Sequence, residues 1–324
     1  MGLITLGLDT RPNHPGFTFR RIPVFLLALF LTACASLPQD VSRTPSHALE
    51  GTPDTRMARN LEPLLAANPG LSGFLPLVQG EQAFAARLQL VAAAQKTIDS
   101  QYYIWHDDLT GQTMHTMLLK AADRGVRIRL LLDDLDTAGK DQLLRTIDAH
   151  PNIEIRLFNP FANRAMRAGD FVGDTRRVNR RMHNKTLTVD NLATIFGGRN
   201  IGDEYFDATE EVAFSDMDAL GVGPIALDVS RQFDLYWNSE HAYPISSFDW
   251  DSPITDAQVN ALREISDTRL EAARASRYAD ILREVSLAKV EKISDIDYVW
   301  SDWDLVYDQP SAITTDEVSK KTHL

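Results

Sequence analysis

Three strand-like segments alternating with helix-like ones between Thr97 and Phe158 constrain this chain more than anything else in it. Thr97 to Trp105 alternates and carries Ile98, Tyr102, Tyr103 and Ile104; Val126 to Leu132 is a short apolar run, and Ile153 to Phe158 forms a third strand. Between them, Gln112 to Arg124 has helical spacing with Gly125 as its stop, and Asp141 to Ala149 is a second helix; Glu81 to Lys96 leads into the series as an amphipathic helix. Strands that run parallel need crossover connections, so this rhythm implies an α/β fold, a mixed β-sheet flanked by helices. Sites in such sheets gather at strand ends and in the loops beyond them.

The segment that follows supplies the chemistry. Residues 183 to 200 read HNKTLTVDNLATIFGGRN. Thr186 to Val189 favours a strand, so His183 and Lys185, two apart, are expected on one face of it. Asp190 and Asn191 read as a tight turn, and Ala193 to Phe196 as a second strand ending in Gly197 and Gly198. An imidazole beside an ammonium suits a phosphate. The ring can attack phosphorus or move a proton, while the ammonium neutralises the non-bridging oxygens. Glycines let backbone approach a ligand closely, and Asn200 adds an amide donor.

The pattern HxKxxxxD followed by GGxN resembles the HKD signature of the phospholipase D superfamily. That resemblance implies a catalytic set of His183, Lys185 and Asp190: His183 as the nucleophile that forms a phosphohistidine, and Asp190 as structural support. Phosphate binding falls to Lys185, Asn200 and the backbone at Gly198, where many members have serine, so a hydroxyl contact is absent here. The segments QYYIWHDDLTG, LLLDD, GGRNIGDEYF, FSDMDALGVGP and FDLYWNSE extend the likeness over roughly residues 75 to 310 and are similar to bacterial proteins of the cardiolipin synthase C type. Asp216 and Asp218 follow the motif, and either could accept a hydrogen bond from His183; by its place in the family pattern Asp218 is the stronger orienting candidate. Asp133, Asp134 and Asp136 could suggest Mg²⁺, but HKD chemistry needs no metal, and no metal or other cofactor is expected. His106 and Asp107 receive no role.

Composition and charge sort the remaining possibilities. The 324 residues are 44% hydrophobic and 24% charged, an ordinary globular balance. Arg11, Arg20 and Arg21 precede an apolar run from Val24 to Leu31, and Leu31-Thr32-Ala33-Cys34 resembles a bacterial lipobox. The expected organisation is a signal peptide over 1–33, lipidation at Cys34, a tether and N-terminal segment over 34–74, a phospholipase D-like lobe over 75–245 and a helical linker over 246–324. The expected place is a lipid-anchored position on the periplasmic side of a bacterial envelope.

Without residues 1–33 the chain keeps 30 basic and 44 acidic side chains, a net charge of −14. Such a chain is poorly suited to coat nucleic acid, whose phosphates demand a positive field, and no nucleic-acid partner is expected. Locally the balance reverses. Arg164, Arg167, Arg176, Arg177, Arg180, Arg181 and Lys185 stand against Asp170 and Asp174 only, a cluster expected to draw an anionic head group toward His183.

In the superfamily two HKD motifs build one site, and no second HxK exists in this sequence: the histidines at 14, 47, 106, 115, 150, 241 and 323 lack a lysine two positions on. The resemblance therefore implies the first lobe of a normally two-lobed fold. Two readings follow, a truncated gene product or a homodimer in which each copy supplies one His183; the segment after 255 favours the first. The expected activity is phosphatidyl transfer between phospholipids through a phosphohistidine. The alternatives are a homodimeric phosphodiesterase or nuclease, and a non-catalytic lipoprotein that binds anionic lipids.

Overall fold

The computed structural model describes residues 36–49, 52, 54–164, 167, 180–209, 214–285 and 289–313. The expected signal peptide, Cys34, Asp170, Asp174, Arg176 and Arg177 lie outside these described residues. Among them no helix is long and apolar enough to cross a membrane.

The expected alternation is present. Strand β1 (Ser72–Leu77) follows helix α1 (Arg56–Ala67), and α2 (Gly80–Ala93) leads to β2 (Thr97–Tyr102). Then come α3 (Leu109–Asp123), β3 (Arg127–Asp133), α4 (Asp141–Asp148) and β4 (Ile153–Phe158). The hairpin β5 (Thr186–Val189) and β6 (Ala193–Gly197) is followed by β7 (Asp218–Val222), α5 (Pro224–Trp237) and β8 (Ala242–Pro244). Helices α6 (Asp256–Arg274) and α7 (Arg277–Glu284) and strand β9 (Val299–Ser301) follow among the described residues. The strands form a single mixed sheet in the order β8-β4-β3-β2-β5-β6-β7-β1-β9. β2, β3 and β4 are parallel, and every other neighbouring pair is antiparallel.

Alternation along β3 divides the core. Ile128, Leu130 and Leu132 belong to the large cluster that includes Met114 and Leu118 of α3, whereas Leu131 packs with Phe233 and Trp237 of α5. The α5 face also carries buried charge. Arg129 makes a bidentate pair with Asp99 at 2.7 Å and meets Asp234 at 2.8 Å, with its guanidinium over the rings of Phe233 and Trp237. These partners satisfy the desolvated cation from every side.

Two segments depart from expectation. The stretch read as a tether lies along the sheet as a docked strap. Arg43 donates to the carbonyls of Ala242 and Glu240, Arg156 to Thr44, Arg129 to Ser46 and Arg127 to His47, while Thr52 donates to the Asp190 carbonyl. Its polar composition hid this, because the partners are backbone carbonyls that any sequence offers. The stretch read as a linker also packs on the lobe. The Tyr278 hydroxyl donates to the Phe206 carbonyl, Lys120 meets Asp267, and β9 pairs with β1.

The turn between β5 and β6 has Asp190 and Asn191 at φ 52° and 56°, the left-handed geometry that these residue types tolerate. The Asp190 carboxylate is fully buried and accepts from the backbone N–H groups of Gln95, Lys96 and Thr97 at 2.7 to 3.2 Å. It therefore joins the end of α2 and the start of β2 to the hairpin. Asp190→Ala leaves those donors without their acceptor and should cost about 3 kcal/mol in urea unfolding, with Asp190→Asn less severe. A loss near zero would remove this carboxylate from the framework.

His115 on α3 stacks on Trp105 with ring centroids 4.6 Å apart and planes 7° from parallel, and its Nε2 has no hydrogen-bond partner among the described residues. Burial, then Lys140, pushes its pKa down to about 3. Above pH 6.5 the ring is neutral in both folded and unfolded states. Below it the unfolded chain binds a proton that the folded state refuses, so stability is lost as pH falls. Relative to His115→Phe, the native chain should lose up to about 1.4 kcal/mol per pH unit below pH 6.5. Urea unfolding of both proteins at pH 7.5, 6 and 5 measures this, and parallel pH curves would contradict it.

Candidate functional site

Strand polarity decides where the motif residues go. β2, β3 and β4 finish at Tyr102, Asp133 and Phe158 on one edge of the sheet. Gln101 pairs with Thr186, Thr186 with Phe196, and Gly197 with Asp218, so β5 begins, β6 ends and β7 begins on that same edge. His183, Lys185, Gly198, Asn200, Asp216 and Asp218 are thereby brought together. Asp190, between β5 and β6, is carried to the opposite edge. There it is a framework residue, four strand positions away from His183 and Lys185.

His183 and Lys185 do not lie on the strand as expected. β5 begins at Thr186, because its partner β2 offers pairing only up to Gln101. Both side chains are in the segment leading into the sheet, and what aligns them is Tyr103. The His183 ring sits on Tyr103 at 4.4 Å, and Lys185 Nζ lies 5.5 Å from the same ring. His183 is otherwise exposed.

One contact determines the state of the His183 ring. Nδ1 is 3.1 Å from the carbonyl oxygen of Arg181. A carbonyl only accepts, so Nδ1 carries the hydrogen and Nε2 presents its lone pair. Partial burial, then the Lys185 cation, lowers the imidazole pKa and favours this neutral form. Lys185 donates to the His183 carbonyl at 2.6 Å, and burial lowers its pKa against the opposing pull of Asp216 and Asp218.

Asp218, expected to orient His183, is committed elsewhere. It accepts from Arg87 at 2.9 Å and from the backbone N–H of Arg199 at 3.1 Å, and Arg87 also donates to the Tyr102 hydroxyl. Arg199 in turn donates to the carbonyls of Leu77, Val78 and Tyr205. These bonds fix the GGRN loop. Gly197 is required there at φ 155°, since a Cβ would run into the Asp218 carboxylate. At Gly198 a Cβ would lie 2.6 Å from Asp216 Oδ1, so the aspartate occupies the space that a serine side chain would take. Asn200 is buried, accepts from the Ile104 N–H at 3.0 Å and donates to the Tyr205 hydroxyl at 3.2 Å, leaving its amide with a second hydrogen for a ligand.

Three members of the expected basic attractor are paired with carboxylates within the fold. Arg164 pairs with Asp134 and Asp141, Arg167 with the same two carboxylates, and Arg181 with Asp133 at 3.2 Å. The aspartates at the end of β3 thus receive arginines and backbone donors, including the Phe161 N–H on Asp134 and Lys140 on Asp136. Burial pushes the Asp133 carboxyl up to about 7, with Arg181 and the Met182 N–H opposing it. Sequence reading passed over His106. Its Nδ1 is 3.0 Å from Glu204 and 4.0 Å from Asp108, and its Nε2 is 3.8 Å from Asp136. These three carboxylates come from separate loops, which is why spacing gave no sign of them.

Residues 88–237 match the family described as cardiolipin synthase, PLD-like domain. The chain is 50% identical over 190 residues to cardiolipin synthase C of Escherichia coli K12, a match covering 59% of this chain and 40% of that protein. It is 40% identical over 230 residues to an uncharacterized protein of Helicobacter pylori 26695, covering 69% of this chain and 45% of that one. The chain thus spans less than half the length of these relatives. Among solved structures, phosphatidylserine synthase of Haemophilus influenzae is similar with a TM-score of 0.42 at 13% identity, covering 67% of this chain and 48% of that one. Nuc of Salmonella typhimurium is similar with a TM-score of 0.38 at 16% identity, covering 53% and 97% respectively. Residues 88–237 therefore match a phospholipase D-like domain, and over that stretch the chain is similar to the cardiolipin synthases.

Proposed function

We propose that this chain takes part in phosphatidyl transfer between phospholipids, with His183 as the nucleophile. The observation that carries the reading is the His183 ring itself, with Nδ1–H given to the Arg181 carbonyl, the lone pair left on Nε2, and its pKa lowered by burial and by the Lys185 cation. In the first step Nε2 attacks phosphorus, the P–N bond of a phosphohistidine forms, and the bond from phosphorus to the head-group oxygen breaks. Lys185, released from the His183 carbonyl, and the free amide hydrogen of Asn200 bind the non-bridging oxygens. In the second step the hydroxyl of another lipid attacks phosphorus and gives its proton to the group that protonated the leaving oxygen, and the P–N bond breaks to return His183; with water instead, the product is phosphatidic acid. The 50% identity to cardiolipin synthase C supports a lipid acceptor.

The lipobox-like Cys34 supports attachment to a bacterial envelope membrane, which would keep the domain at the surface where both substrates reside. The leaving oxygen needs a proton donor, and a second copy of the chain is the partner proposed to supply it.

The test is to offer the purified chain phosphatidylglycerol and phosphatidylethanolamine in mixed micelles, with His183→Ala in parallel and products identified by mass spectrometry. Cardiolipin or phosphatidic acid should form with the native chain and be lost in the variant. Specific activity rising with protein concentration would support completion of the site between two copies. Binding of anionic vesicles without turnover by either protein would instead favour a lipid-binding role.

A further inference from the structure

The group that orients the nucleophile is a backbone carbonyl, which raises the question of what holds that carbonyl. Arg181 lies ahead of β5, outside the strands of the sheet. Its neighbour Met182 donates its N–H to Asp133 Oδ2 at 2.9 Å, and the Arg181 guanidinium donates to Asp133 Oδ1 at 3.2 Å and to the Asn159 carbonyl at 3.0 Å. Asp133 is itself fixed. It ends β3, is 1% exposed, and accepts from the Leu135 N–H at 2.9 Å. The same carboxylate therefore grips the Arg181–Met182 pair at two points, one on the side chain and one on the backbone N–H that follows the carbonyl in question. The Met182 side chain is buried among Leu131, Phe158 and Phe233, which closes the third side.

We propose that Asp133 is the positioning residue of His183. It acts through the Arg181 carbonyl, which fixes both the place of the ring on Tyr103 and the nitrogen that carries the hydrogen. The inference rests on His183 being the nucleophile. Asp133 does not touch the substrate and is not a catalytic residue. It does by way of a peptide group what a carboxylate bonded directly to imidazole does elsewhere: it selects the tautomer. Without it the imidazole can redistribute its hydrogen between the two nitrogens and leave Tyr103. An attacking atom displaced by about 1 Å can lower a rate on the order of a hundredfold.

The test uses the full chain labelled with ¹⁵N at histidine, with the His183 signals assigned by their loss in His183→Ala. At pH 8 the native ring should show protonated Nδ1 and unprotonated Nε2. In Asp133→Ala the two tautomers should mix, and the single-turnover rate of phosphatidyl transfer should fall on the order of a hundredfold with its amplitude retained. A merely structural role would lower the amplitude and leave the rate of the folded fraction alone. Asp133→Asn keeps an oxygen for the Met182 N–H and loses the charge facing Arg181, so it should shift both readouts less and in the same direction. It also serves if the alanine variant does not fold. A native ring already protonated at Nε2, or a folded variant with unchanged tautomer and rate, overturns the proposal. If the native chain transfers nothing while its tautomer still depends on Asp133, the positioning stands and the transfer reading falls.

Discussion

A carboxylate taken out of water must be surrounded by donors, and this chain uses that requirement wherever a loop has to be held against the sheet. Asp190 gathers three successive backbone N–H groups at one edge. At the other edge Asp133 holds Arg181 and Met182, Asp134 holds Arg164 and the Phe161 N–H, and Asp218 holds Arg87 and the Arg199 N–H. All four side chains are buried. Each removal would strand donors, and at Asp133, Asp134 and Asp218 an arginine charge as well, so the loops bearing His183 and Asn200 are held by interactions that are costly to break.

Strand direction converts this framework into a site. With β2, β3 and β4 parallel and the β5–β6 hairpin antiparallel beside them, the ends that carry His183, Lys185, Asn200 and the carboxylates that hold them fall on one edge. Asp190 belongs to the same sequence signature and lies on the other edge. A signature contiguous in sequence is thus split by the hairpin into a chemical half and a structural half. The strap over residues 37–49 and the helices after 255 cover the sheet that bears this edge, and the buried Arg129 and Arg156 are satisfied only with strap carbonyls in place.

Much of this was legible in the sequence. The alternation of strands and helices, the hairpin with its left-handed Asp190–Asn191 turn, and the residues that gather at one edge all follow from local pattern and from motif spacing. Strand β1 and its pairing with β9 were not legible, because the two segments are more than 200 residues apart and neither has a long apolar run. The docked strap escaped for a related reason, since backbone carbonyls leave no trace in side-chain composition.

The sequence by itself determined the chemistry on offer: an imidazole, an ammonium and an amide at fixed spacing, on a chain that must form a mixed sheet flanked by helices. Only the tertiary structure decided how those groups are aimed. Asp218 had the right type and place to orient His183, yet buried Arg87 and Arg199 claim it, and the ring turns to the Arg181 carbonyl instead. Of the arginines that looked like an attractor for anions, Arg164, Arg167 and Arg181 are drawn to Asp133, Asp134 and Asp141. A charge responds to whichever opposite charge the fold brings nearest in low dielectric, and spacing along a chain does not encode that distance.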